Sequence, residues 1–221
     1  MNHLSTALVT TLLLPRLVQI AKEGSQPRIV VVASSTHYWA DPFETAADGG
    51  GILKSWNDRA GPKSGLWASL SHSRHRQLTL HVVLILSRLE TNNWYPRSKL
   101  LNIFFARELG DRIPDDMPIT VTSVCPGYCS SGLLRDVSFP INYLDRVTEK
   151  LFAYTPEEGS RQLVWAAIEG IGKEKEMQGA FVTRSDIAEP SDYVLGEDGR
   201  RIQKKLWVCD NRSHRSFLTH Y

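Results

Sequence analysis

Arg28-Ile29-Val30-Val31-Val32-Ala33-Ser34-Ser35 decides how this chain is read. From Arg28 to Ala33 the run is short, β-branched and continuously apolar, which suits a parallel strand buried on both faces. It ends on a pair of hydroxyls where the chain must leave the sheet. Farther on, Pro118-Ile119-Thr120-Val121-Thr122-Ser123-Val124 repeats the pattern and stops at Pro126-Gly127. Gly179-Ala180-Phe181-Val182 gives a further short strand. Helical patterns lie between these runs. Residues 3–22 set Leu4, Leu8, Leu12 and Leu13 on one face and stop near Gly24. Residues 96–110 turn Leu100, Leu101, Phe104, Phe105 and Leu109 inward. Thr155-Pro156-Glu157-Glu158 opens a helix that runs to about Glu169, with threonine as N-cap and proline at the first helical position. Ser191 to Trp207 reads as a terminal helix. Strands alternating with helices imply an α/β protein with a parallel sheet.

Composition bounds the answer without choosing a function. The 221 residues suffice for one domain with a real core. Hydrophobic residues at 42% and charged residues at 23% are ordinary globular values. The net charge is +2, and clusters such as Arg200-Arg201 and Lys204-Lys205 read as a solvated helix face. No nucleic-acid motif accompanies them, so no nucleic-acid partner is expected. Cys125, Cys129 and Cys209 are odd in number and irregularly spaced, which makes no disulfide framework. Cys125 and Cys129 lack a second Cys/His pair, so no metal site is expected. A reducing, cytoplasmic location is the expectation. Leu12-Leu13-Leu14 lies in an apolar start, but no positive charge precedes it and Pro15-Arg16 interrupts it. That pattern predicts an amphipathic domain helix rather than a targeting segment. No run reaches about 18 uninterrupted apolar residues, so no membrane span is expected.

The stretch from His37 to Asn93 breaks the α/β rhythm. Asp48-Gly49-Gly50-Gly51 and Gly61-Pro62 are turn signals. Within 61–93, Ser69 to Arg76 is polar and patternless, whereas Val82-Val83-Leu84-Ile85-Leu86 is continuously apolar. A connection of this length is rare inside a compact domain. It reads as an atypical insertion: either an extra element packed on the surface or a stretch foreign to the native coding sequence, such as a retained intron. Residues 208–221 also lack pattern and are expected to form a disordered tail.

Tyr95-Pro96-Arg97-Ser98-Lys99 carries the chemistry. A tyrosine and a lysine four apart on a helix project from the same face. Free tyrosine titrates near pH 10, so it is a poor base at neutral pH. A nearby ammonium favours the phenolate and draws it toward the working range. A serine hydroxyl at a strand end can then hold a substrate oxygen.

In order along the chain, these stretches resemble the short-chain dehydrogenases/reductases, and among them the retinol-dehydrogenase-like group of fungi and animals. Asn2-His3-Leu4 with Leu12-Leu13-Leu14-Pro15 resembles the family's fourth helix and its tetrad asparagine. Arg28 to Ser35 resembles the fifth strand with its serine, and Tyr95 to Asn102 resembles the Tyr-x-x-x-Lys helix. Pro126-Gly127 resembles the loop that borders the nicotinamide. Thr155-Pro156-Glu157-Glu158-Gly159-Ser160 and Ala188-Glu189-Pro190-Ser191-Asp192-Tyr193 resemble C-terminal features of the subgroup. The match covers residues 1 to about 60 and 94 to about 207.

The resemblance implies a partial Rossmann-like, doubly wound parallel sheet, the C-terminal half of the family fold, with about three strands and flanking helices. Residues 1–207 would form an incomplete, N-terminally truncated catalytic domain. The first strand, the glycine-rich turn that sets a pyrophosphate on a helix N-terminus and the ribose selector find no counterpart. Ser35 and Tyr95 also lie much farther apart than in the family. By resemblance the activity is hydride transfer between a nicotinamide cofactor, NADP with NAD as the alternative, and a small alcohol or carbonyl substrate of secondary or lipid-like metabolism. Tyr95 would be the general acid/base. Lys99 would lower its pKa and bond the nicotinamide ribose. Ser35 would bond the substrate oxygen, with Ser34 as the second choice. Asn2 would organise a water relay to Lys99. Gly127, Cys129 and Ser131 would border the cofactor together with Asn2, Tyr95 and Lys99. A homo-oligomer is compatible with this reading. The alternative is a catalytically inactive fragment or interaction module without the dinucleotide-binding half.

Overall fold

The computed structural model describes residues 2–40, 94–130, 149–169 and 172–218. Ser131 and the 61–93 segment lie outside them. The order is α1 (Leu4–Lys22), β1 (Arg28–Val32), a 3-10 turn (Ser35–Trp39), α2 (Trp94–Arg112), β2 (Thr120–Cys125) and α3 (Pro156–Val164). A π-helical turn (Trp165–Glu169) continues α3. Then come α4 (Glu174–Met177), β3 (Phe181–Thr183), β4 (Asp186–Ala188), α5 (Asp192–Leu195) and α6 (Glu197–Leu218).

The strands form one sheet in the order β1-β2-β3-β4. β1, β2 and β3 run parallel, in a register that pairs Val30 with Thr122 and Ser123 with Phe181. Alternate side chains leave the sheet on opposite faces. On one face Ile29, Val31, Val121 and Phe181 meet the core of α2, with Leu100, Phe104, Phe105 and Leu109, and that of α6, with Ile202 and Leu206. On the other, Val124 and Val182 meet Ala166 of the π turn and Met177 of α4. Helices on both faces of a mostly parallel sheet make this an α/β fold consistent with a partial Rossmann fold, as the sequence predicts.

Several local rules hold. Gly24, at φ +93, ends α1 in a conformation that glycine adopts without strain. Thr155 caps α3: its hydroxyl accepts from Glu158 N at 3.2 Å, and Thr155 N donates to the Glu158 carboxylate at 2.8 Å.

Other expectations are corrected. β1 is not buried on both faces: Ile29 and Val31 are buried, but Val32 is 40% exposed. Among the described residues β1 is an edge strand, so its second face has less to pack against. The sheet gains an antiparallel strand, β4, through a turn in which Arg184 (φ 54) and Ser185 (φ 56) are both left-handed. The terminal helix is broken at Gly196 into α5 and α6, the second running Glu197–Leu218. The break folds the chain sharply back on itself: a Cβ on Gly199 would lie 1.9 Å from the Tyr193 carbonyl oxygen. By length and composition α1 could cross a membrane, although its apolar residues are not one uninterrupted run. It buries Ala7 and Ala21 in the core shared with α2.

Candidate active site

The carboxyl ends of β1 and β2 bring the candidate residues together. Ala33 N donates to Val124 O at 2.8 Å, which carries the β1–β2 register one residue past β1. Ser34 is extended (φ −160, ψ 148), and the chain then tightens into the 3-10 turn. Ser34 Oγ accepts from Thr36 N at 3.2 Å and caps that turn. The Ser34 carbonyl accepts from His37 N at 3.2 Å and from His37 Nδ1 at 2.8 Å. His37 Nε2 in turn accepts from Ser191 N at 3.2 Å. These two bonds require the neutral tautomer with its proton on Nδ1. Burial pushes this imidazole down to about 4, against the effect of its Ser34 bond. Tyr38 donates to the Glu189 carbonyl, and burial, then Cys125 and Glu189, push its phenol up to about 12. Together His37 and Tyr38 tie the serine turn to the loop before α5.

From the other side, α2 presents Tyr95 in its first turn and Lys99 one turn later. Lys99 Nζ stands 5.6 Å from the centroid of the Tyr95 ring. It donates to Val32 O at 3.1 Å, and Asn102 Nδ2 donates to the same carbonyl at 3.1 Å. Asn102 Oδ1 lies 3.2 Å from His3 Nδ1, so buried His3 braces the start of α1 against α2. Burial raises the Tyr95 phenol above its ordinary value, the nearby Ser34 side chain opposes the rise, and Cys125 adds to it. Burial lowers Lys99, and Cys125 works against that. Desolvation decides the direction for both groups.

β2 contributes a sulfur. Cys125 Sγ accepts from Ser35 N at 3.2 Å, from Ser35 Oγ at 3.2 Å and from Gly127 N at 3.4 Å. Gly127 has φ +88, and a Cβ there would stand 2.9 Å from the Tyr154 ring. Cys129 pairs with Tyr154 through an isolated parallel bridge, and its thiol donates to Pro126 O at 3.4 Å. Burial, then Cys125 and Glu158, raise the Cys129 thiol. The Cys129 side chain fits only because Gly159 has no Cβ, which would lie 2.2 Å from the sulfur.

Thus Tyr95, Lys99, Ser34 and Ser35 share one strand-end site, and Gly127 and Cys129 lie on the loop beside it. Asn2 opens α1, where its carbonyl accepts from Thr6 Oγ1 at 2.8 Å. Sequence reasoning gave no role to Asn102, Cys125 or His37. The signal for Asn102 was its position, three residues after Lys99 and so on the same helical side.

This geometry defines a class first: a Rossmann-like α/β protein with a Tyr/Lys/Ser group at the carboxyl ends of parallel strands. The comparisons narrow it. The chain is 32% identical over 194 residues to the short chain dehydrogenase sol3 of Alternaria solani, covering 84% of this chain and 52% of that protein. It is 28% identical to the short-chain dehydrogenase/reductase phmF of Phaeosphaeria nodorum, over 94% of this chain and 52% of the relative. It is 29% identical to a polyprenol dehydrogenase of Danio rerio, again over 94% and 52%. No protein-family model matches. The chain is thus related by distant homology to the short-chain dehydrogenase/reductase family, and it spans about half the length of the curated relatives it matches.

Proposed function

We propose that this chain carries the proton-transfer side of a nicotinamide-dependent alcohol/carbonyl oxidoreductase of the retinol-dehydrogenase-like subgroup. One observation carries the reading: the Lys99 ammonium stands 5.6 Å from the Tyr95 ring centroid and bonds to Val32 O, at the strand end that leads into Ser34 and Ser35. A bound nicotinamide, NADP by subgroup resemblance, would supply or accept the hydride. The residues present fit that end of a cofactor. An ammonium has three donors, and Lys99 gives one to Val32 O, so others remain for a ribose beside Tyr95. Gly127 and Cys129 would border the same group, with Ser131 beyond them.

Tyr95 holds the proton. Because burial raises its phenol, it stays protonated at neutral pH and suits donation to the oxygen of a carbonyl undergoing reduction. A serine hydroxyl donates to that same oxygen and fixes its position. The substrate class we favour is a small to medium apolar alcohol or carbonyl compound. The polyprenol named for the zebrafish relative is one apolar alcohol, and the fungal relatives fit a role in secondary metabolism.

Titrating the purified chain with NADPH, read by nicotinamide fluorescence, tests the reading. Saturable binding with turnover of a test carbonyl is expected. Absence of binding at millimolar cofactor would favour the inactive interaction module. Tyr95→Phe should lower turnover by roughly 10²–10⁴-fold, the usual worth of a general acid, with the fold intact by circular dichroism. Lys99→Met should do the same and also weaken cofactor binding.

A further inference from the structure

We infer that His37 is a positioning residue: its imidazole fixes the plane of the Ser34–Ser35 peptide and ties that plane to Ser191, 154 residues farther along the chain than His37 itself. The inference rests on the serine turn being the end of the site that receives the substrate oxygen, as proposed above.

A peptide group is flat, and in the trans form its C=O and N–H leave from opposite edges. The group between Ser34 and Ser35 is gripped on both. Its carbonyl accepts from His37 N at 3.2 Å and from His37 Nδ1 at 2.8 Å. Its N–H donates to Cys125 Sγ at 3.2 Å. The two serine side chains branch from either end of this group, so its tilt governs where both hydroxyls point. The other ring nitrogen, Nε2, accepts from Ser191 N at 3.2 Å. The loop presents a matching order of groups. Glu189 O takes the Tyr38 phenol, Pro190 has no N–H to give, and Ser191 N is the next donor. An imidazolium would set a donor against the Ser191 N–H, so only the neutral ring makes both bonds. The residue is 1% exposed, and its ring lies edge-on to Phe181 of β3, 4.8 Å between centroids. At that burial, solvent does not stand in for either partner.

The test does not depend on turnover. In the full chain labelled with ¹⁵N, the His37 ring should be neutral at neutral pH, with its proton on Nδ1. His37→Phe keeps an aromatic ring against Phe181 and deletes both bonds. It should speed hydrogen exchange at the Ser191 and Ser35 amides by roughly 2–10-fold each, the worth of one hydrogen bond. Ser191→Pro deletes the loop's donor at a φ of −59, already suited to proline. It should also speed the Ser35 amide, by a smaller factor, through the ring alone. A role in packing only would leave Ser35 unmoved. An unchanged Ser35 amide in either variant, or a ring protonated on Nε2 in the unmodified chain, overturns the inference. Should His37→Phe not fold, the unmodified chain and Ser191→Pro decide it. Failure of the chain to turn over a carbonyl would count against the functional reading instead and leave these measurements standing.

Discussion

α1 and α2 are each 19 residues long, yet the more apolar of the two is the less buried. α1 has Arg16 and Lys22 as its charged residues and fully buries only Ala7 and Ala21. Val9, Leu12 and Leu13 are 55%, 52% and 54% exposed. α2 carries Arg97, Lys99, Arg107, Glu108, Asp111 and Arg112, yet buries Leu100, Leu101, Ile103, Phe104, Phe105, Ala106 and Leu109. Place in the sheet explains the difference. α2 lies over β2, between α1 and α6, whereas α1 packs on the side of β1, the edge strand among the described residues. Its charges are also accommodated: Glu108 accepts from Arg112 at 2.6 Å and from Gln203 of α6 at 2.8 Å. Burial here follows location, and the helix that carries Tyr95 and Lys99 is the one held on most sides.

The largest expected break in this contrast is Phe104→Ala. The ring is fully buried between the sheet, α5 and α6, so its removal should cost about 3–5 kcal/mol in urea unfolding. A loss below about 1 kcal/mol would mean that α2 is not the anchored helix.

Acid should come next. Between pH 6.5 and about 4 the unfolded chain takes up a proton that folded, buried His37 refuses. The stability from keeping this group neutral is whole above pH 6.5 and is lost as pH falls through that window. At most it amounts to roughly 3 kcal/mol, from a shift of about 2.5 units. His37→Gln should flatten the fall of melting temperature between pH 6.5 and 4. An unchanged slope would place the acid sensitivity elsewhere.

Thr155→Ala, remote from both helices, should cost about 1 kcal/mol through loss of the α3 cap. The smallest effect belongs to α1. Leu12→Ser combined with Leu13→Ser should change unfolding free energy by no more than about 0.5 kcal/mol per site, because both side chains already face outward. A cooperative loss of structure in that double variant would show that the outer face of α1 is covered in solution.

What could be read from sequence follows the same division. Helices with a strong apolar period or an explicit cap, and strands made of β-branched runs, were legible within a few residues. β4 was not, because the turn before it uses Arg184 and Ser185 where two left-handed residues usually call for Asn-Gly. Ser185 is steadied there by a bond from its N–H to Gln162 Oε1, a partner distant in sequence. The break at Gly196 was hidden inside one continuous polar-apolar pattern. At the site, Tyr95 and Lys99 were legible because helical spacing alone pairs them. The tie of Ser35 to Cys125 was not, since that sulfur lies on another strand. Nor was the direction of the Tyr95 shift, which burial sets.

The Val32 carbonyl, which takes both Lys99 Nζ and Asn102 Nδ2, has a consequence for self-association. Ala33 N bonds toward β2, so by alternation Val32 O points to the side of β1 that has no neighbouring strand among the described residues. An open strand side acts as a growing end on which another extended chain can add. Here the acceptor nearest the site already holds two donors, so an incoming strand would have to displace an ammonium and an amide before it could bond there. The same contacts that fix α2 on β1 thus act as a chain terminator at that end of the strand.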